Sequence, residues 1–235
     1  MNIASISTSI NLVPKLLKES GLFKDSNKTR KFTLEFGKYS EEFVSVCQSD
    51  DYDSIYKVAM KNMDYDFLLM DDSILQFSCT SDTDTLDEGI IRYAFYENPR
   101  TYRTYEEFLS DLDATYEECG DEFLQYYEQE ISEAKLKSYV TPIRYDYNYE
   151  LYTPIEHSIS HIHLGHNNNV RVATSKILTP AKFVSFVLRN VYTKKWINAY
   201  RNDAFKEICL TAHQTCHPIN TAYFTSEEKK LLHIF

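Results

Sequence analysis

The chain has 235 residues, 43% of them hydrophobic, with 35 acidic against 25 basic side chains and a formal net charge of −10. That length and apolar share support a core without covalent staples, and the acidic excess argues against a surface that binds nucleic acid over its whole extent. No apolar run nears the roughly 20 residues that cross a bilayer, the first residues lack a basic and then apolar leader pattern, and the five cysteines are scattered without a CxxC pair; the expectation is a cytoplasmic protein with no membrane contact, no disulfide framework and no cofactor.

In chain order, Ser5 to Leu22 places Ile6, Ile10, Val13, Leu16 and Leu17 on one side of an N-terminal helix, with Pro14 as an interruption and Gly21 as a stop signal. Lys31 to Phe36 alternates like a short strand. Ser40 to Met63 resembles one or two helices behind the start signal Ser40, Glu41 and Glu42. Tyr65 to Met70 and Ile74 to Cys79 predict strands joined by Asp71, Asp72 and Ser73, and Gly89 to Tyr96 predicts a third. From Tyr105 to Lys137 the sequence turns acidic and aromatic with helical spacing, which predicts two helices broken at Gly120. Strands resume at Val140 to Tyr147, Ser158 to Leu164 and Val170 to Ala173. Thr179 and Pro180 then open a helix carrying Phe183, Phe186, Val187 and Val191, which Trp196 helps to close.

This order predicts an α+β fold: a twisted, mostly antiparallel meander sheet flanked by helices in a single domain over residues 1–235. Residues 1–64 form a mainly helical part, 65–174 the sheet with a helical insertion at 105–137, and 175–235 a helical C-terminal part. Charge is unevenly divided. Residues 1–150 hold 15 basic and 30 acidic side chains, residues 151–235 hold 10 and 5, and all seven histidines lie in the second part. Solvated helix faces account for most of that acid, while the basic part leaves room for a local face that attracts phosphate or an acidic partner.

The segment from Arg144 to Arg171 carries the chemistry. Alternate side chains of a strand share a face, so Arg144 and Asp146 point one way while Ile143, Tyr145 and Tyr147 point the other. By the same rule His161 and His163 point together, backed by Ile162 and Leu164. Gly165 and Asn167 to Asn169 are turn chemistry that returns Arg171 antiparallel to the histidines. Imidazoles near neutral pH exchange protons and guanidinium groups hold phosphate by paired hydrogen bonds, a set suited to metal-independent phosphodiester cleavage. Plainer readings stand beside it. The two histidines can be simply a half-buried or exposed pair, Arg144 and Asp146 a cross-strand ion pair, and His213 and His217 either one helix face or a loop. The His-x-His spacing also suits Zn²⁺ or Mn²⁺, with His157 or Asp146 completing the shell, yet no Glu-x-x-His or Cys ligand accompanies it, so no metal is expected.

The runs FLLMDDSILQFSCT, IIRYAFYENP, IRYDYN and EHSISHIHLGHNNNVRV, followed by ILTPAKFVSFVLRNVY, resemble the bacterial domain-of-unknown-function family 2290 over most of the chain. The ordered set is R-x-D at Arg144 and Asp146, H-x-x-x-H-x-H-x-G from His157 to Gly165, Arg171, and L-T-P-x-x-F-x-x-F from Leu178. Ser158 stands where that family carries proline after the histidine, and Val172-Ala173 where it carries isoleucine-proline. The family has no settled activity, so the resemblance implies a fold and a candidate site. An aromatic-Arg-aromatic-Asp strand before a histidine-rich strand is also loosely similar to TumE-type toxins of toxin-antitoxin pairs.

The expected function is a toxin or antiphage-defence effector acting on nucleic acid as a ribonuclease-like phosphodiesterase. In it His161, His163, His157 and Asp146 are catalytic, and Arg144 and Arg171 bind substrate. The alternative is a non-catalytic subunit or antitoxin-like partner of a defence ATPase or nuclease, docking through Asp111 to Glu133. Expected partners are nucleic acid and a protein from a defence or toxin-antitoxin operon.

Overall fold

A computed structural model describes residues 3–27, 39–48, 51–81, 86 and 88–232. The N-terminal helical stretch is two helices, α1 (Ile3–Ile10) and α2 (Val13–Glu19), because Pro14 fits the first turn of a helix and not its interior. Strand β1 (Phe23–Ser26), absent from the sequence expectation, follows; the strand expected at Lys31 to Phe36 lies outside the described residues. Helices α3 (Glu41–Val46) and α4 (Tyr52–Lys61) then precede strands β2 (Phe67–Leu69), β3 (Ile74–Thr80) and β4 (Ile90–Tyr96). After an inserted segment come β5 (Ile143–Asn148), β6 (Ser160–Leu164) and β7 (Arg171–Ala173).

These seven strands lie side by side in chain order, each antiparallel to its neighbours. Register makes the period-2 pattern global. Phe77, Tyr93, Tyr145 and Ile162 stand opposite one another across β3 to β6, and all four are buried. The short β8 (Lys176–Ile177) leads into α8 (Pro180–Val191), whose Phe183 packs on Phe77 and Tyr93 with ring centroids 6.4 and 5.7 Å apart. Ile6, Ile10, Val13, Leu16 and Leu17 of the first two helices join the same core.

A buried polar junction fixes this face to the chain beyond the sheet. The Leu178 N–H donates to the Tyr145 hydroxyl at 3.0 Å, and that hydroxyl lies 2.8 Å from Ser160 Oγ, itself 2.7 Å from Thr174 Oγ1. Beyond α8 come α9 (Thr193–Ala199), α10 (Asp203–Gln214), β9 (His217–Pro218) paired with β8, and α11 (Ser226–Leu231). Trp196 therefore sits inside a helix of its own, stacked on Tyr200, instead of closing the preceding one. His213 is on α10 and His217 on β9, so the two share no helix face.

The insertion, Asn98–Val140, forms a compact unit of its own with α5 (Tyr105–Ser110), α6 (Tyr116–Cys119) and α7 (Leu124–Glu133). It has three helices where spacing predicts two: Gly120, at φ +53°, makes the expected break, and Asp113, at φ +54°, makes a second. Arg103 clamps it, donating from Nε and Nη2 to the Glu130 carboxylate at 2.7 and 2.6 Å, beneath the clustered rings of Tyr105, Phe108 and Tyr127.

Candidate functional site

The sheet face opposite the core carries two polar rows. One runs Gln76, Ala94, Arg144, His163, Arg171 across β3 to β7; the other runs Ser78, Arg92, Asp146, His161, Ala173. Alternation determined which residues share a face, and pairing register brings Arg144, Asp146, His161, His163 and Arg171 side by side. Gly165 makes the return possible: at φ +87° it adopts a left-handed conformation, and a Cβ there would meet Asn168 Nδ2 at 2.2 Å.

These rows floor a hollow of about 880 Å³ that His157 and Arg92 also line. Phe43 of α3 and Cys47, the residue that caps its C-terminus, also line it. That helix is pinned by Ser40, whose hydroxyl accepts from Phe43 N at 3.1 Å while its own N–H donates to buried Asp64 at 2.9 Å. Depth divides the residues into two groups. The Arg144 and Arg171 side chains are exposed, whereas His161 and His163 are 2% and 8% exposed. The imidazoles lie deeper than an open, wet concavity would place them, and the guanidinium groups stand nearer water.

Hydrogen bonding fixes the tautomer of one histidine. His161 Nδ1 is 2.7 Å from the Ser158 carbonyl oxygen, which only accepts, so Nδ1 carries the hydrogen. Burial holds the His161 pKa down at about 4, against the opposing pull of that carbonyl, which leaves the ring neutral with Nε2 as an acceptor. That Nε2 is 2.9 Å from His163 Nε2, which is 3.1 Å from Asp146 Oδ2. Burial opposes ionisation of Asp146, but the His163 hydrogen bond and the Arg144 charge outweigh it and hold the carboxyl below its ordinary value. Two acceptors, His161 Nε2 and Asp146 Oδ2, thus share the single hydrogen carried by His163 Nε2.

His157 extends the row, its ring centroid 5.0 Å from that of His161, and its Nδ1 is buried with no hydrogen-bond partner. Burial and then the Arg171 charge lower its pKa. Arg92, which the sequence expectation treated only as part of a strand, stands opposite Asp146 with Nε 3.9 Å from Oδ1. Its signal was present: Arg92 interrupts an apolar run between inward-facing Ile91 and Tyr93. His166 lies outside the hollow, against Tyr52 with ring centroids 5.3 Å apart.

A family model described as "Uncharacterized conserved protein (DUF2290)" matches residues 17–235, nearly the whole chain. The chain belongs to the DUF2290 family. Every residue of the two polar rows falls within the matched range, as do the insertion and the C-terminal helices. No curated protein and no solved structure matches the chain, so the similarity to TumE-type toxins gains no support from them.

Proposed function

We propose that the chain is an effector that acts on nucleic acid, of the toxin or antiphage-defence kind, and that the hollow is where it engages a phosphodiester. One observation carries this. In a chain of net charge −10, the hollow is lined by three guanidinium groups, Arg92, Arg144 and Arg171, with Asp146 as its one carboxylate among the described residues. A local cation cluster in an acidic protein suits an anionic substrate, and paired guanidinium donors suit phosphate oxygens.

Arg144 and Arg171, exposed and flanking His163 in one row, hold the phosphate. His161 and His163 exchange protons with the substrate, and Asp146 orients His163. In this form the chemistry is metal-independent. His157, its ring centroid 5.0 Å from that of His161 and its Nδ1 without a hydrogen-bond partner, completes the set.

The double substitution of His161 and His163 by alanine, expressed in place of the wild type, is expected to abolish growth inhibition or phage protection. Unchanged behaviour of a folded double variant ends the proposal. A second reading, a non-catalytic partner of an ATPase or nuclease, is favoured by the insertion. That unit carries 11 acidic against four basic side chains and exposes Leu112, Tyr116, Tyr126, Leu136 and Tyr139. It gains weight if the histidines prove dispensable while the insertion does not.

A further inference from the structure

Asp146 Oδ2, His161 Nε2 and His163 Nε2 need an explanation beyond proton transfer. Two acceptors, His161 Nε2 and Asp146 Oδ2, compete there for the one hydrogen on His163 Nε2, so three potential ligand atoms face one another with a single donor among them. Two imidazole nitrogens and one carboxylate oxygen, with ligand atoms all within 4.8 Å of one another, make up the only such group of three among the described residues.

Bond lengths agree with this. Ligand bonds of about 2.0–2.2 Å to a tetrahedral zinc ion place ligand atoms roughly 3.3 Å apart, and two of the separations here are already 2.9 and 3.1 Å. His161 is also oriented as ligating histidines are, its remote Nδ1–H donated to a carbonyl so that Nε2 faces inward unprotonated. The donor set of two nitrogens and one oxygen suits Zn²⁺, Mn²⁺, Fe²⁺ or Co²⁺ and disfavours Mg²⁺ and Ca²⁺, which take oxygen. All three side chains line the hollow, as does His157, whose buried Nδ1 has no hydrogen-bond partner.

We propose that Asp146, His161 and His163 bind one divalent first-row transition metal ion, the His163 hydrogen moving from Nε2 to Nδ1 so that Nε2 can ligate, with the remaining coordination positions open to the hollow. The proposal deepens the preceding one at the same site. It changes what activates the nucleophile from an imidazole base to a metal-bound water, and it leaves the phosphate substrate and the anion-holding arginines as they were. Arg92 and Arg144 oppose an extra positive charge there. Asp146 offsets part of that, and a bound phosphate offsets more, so metal and anionic substrate should bind with positive coupling.

The test is calorimetric titration of Zn²⁺ into the full-length, chelator-stripped protein without substrate, so that failure of the nucleic-acid proposal cannot decide it. Expected is saturable uptake of one Zn²⁺ per chain, weakened at least about tenfold by Asp146→Asn and by His161→Ala and unchanged by His213→Ala. Co²⁺ in place of Zn²⁺ should give visible absorption that the same two variants lose. Asp146→Asn preserves side-chain shape and keeps the test decisive if His161→Ala does not fold. No saturable uptake at tens of micromolar Zn²⁺, or uptake that the folded Asp146→Asn variant leaves unchanged, overturns the proposal.

Discussion

Burial pulls the His161 imidazole down to about 4, while the Ser158 carbonyl and Asp146 pull the other way. Because the folded value lies below the ordinary value near 6.5, the unfolded chain takes up a proton first as pH falls. Stability tied to His161 is therefore complete above about pH 6.5 and is lost as pH drops toward 4. His157, also lowered, acts in the same direction, and Asp146, held below its ordinary value, adds its own loss at still lower pH. Replacing His161 with glutamine should flatten the urea stability profile between pH 6.5 and 4; a slope in that window unaltered by the substitution would contradict the burial described here. At this scale the sequence was informative about direction and silent about depth. Strand alternation separated Arg144 and Asp146 from their apolar neighbours, yet it carried no sign that His161 and His163 would lie so deep. The hollow they line is shared with α3, a helix fixed through Ser40 and Asp64 and far earlier in the chain.

Elements far apart in sequence hold the loop that delivers His157. Helix α11 contributes Glu228, fully buried, whose carboxylate accepts from the Tyr152 hydroxyl at 3.0 Å, from Ile155 N at 3.3 Å, and from Thr225 N and Oγ1 at 2.8 and 2.9 Å. Ile155 occupies a left-handed conformation at φ +69°, costly for a β-branched residue, beside the paired backbone of Thr153 and His157. Substituting alanine for Glu228 leaves several part-buried donors without their acceptor and should cost on the order of 1 kcal/mol, read as a lower urea midpoint; an unchanged midpoint would show that the loop is held by other means. None of this was legible beforehand. The Thr225-x-x-Glu228 pattern is a capping signal, and the structure contains that cap, but its second role depends on a contact 73 residues away. The meander itself was readable because apolar alternation recurs in β3, β4, β5 and β6. Four-residue β1, with its two exposed central residues, offered too little pattern to distinguish it from a turn.

At the scale of the whole molecule, charge and architecture divide together. Acid is concentrated before residue 150 and much of it in the Asn98–Val140 unit, while the hollow gathers guanidinium groups from β4, β5 and β7. The uneven distribution was visible in the sequence; that three arginines from three strands share one floor required the register. If the hollow engages a phosphodiester, its arginines should govern affinity and its histidines turnover. The most direct measurement is incubation of the purified protein with a fluorescently labelled single-stranded RNA, without and with added Zn²⁺ or Mn²⁺, following binding and cleavage together. The wild type is expected to bind and cleave it. The double Arg144→Ala, Arg171→Ala variant should lose most of the binding, and the double His161→Ala, His163→Ala variant should bind but not cleave. RNA left intact and unbound by the wild type under every metal condition, or cleaved equally by both folded variants, would contradict that expectation.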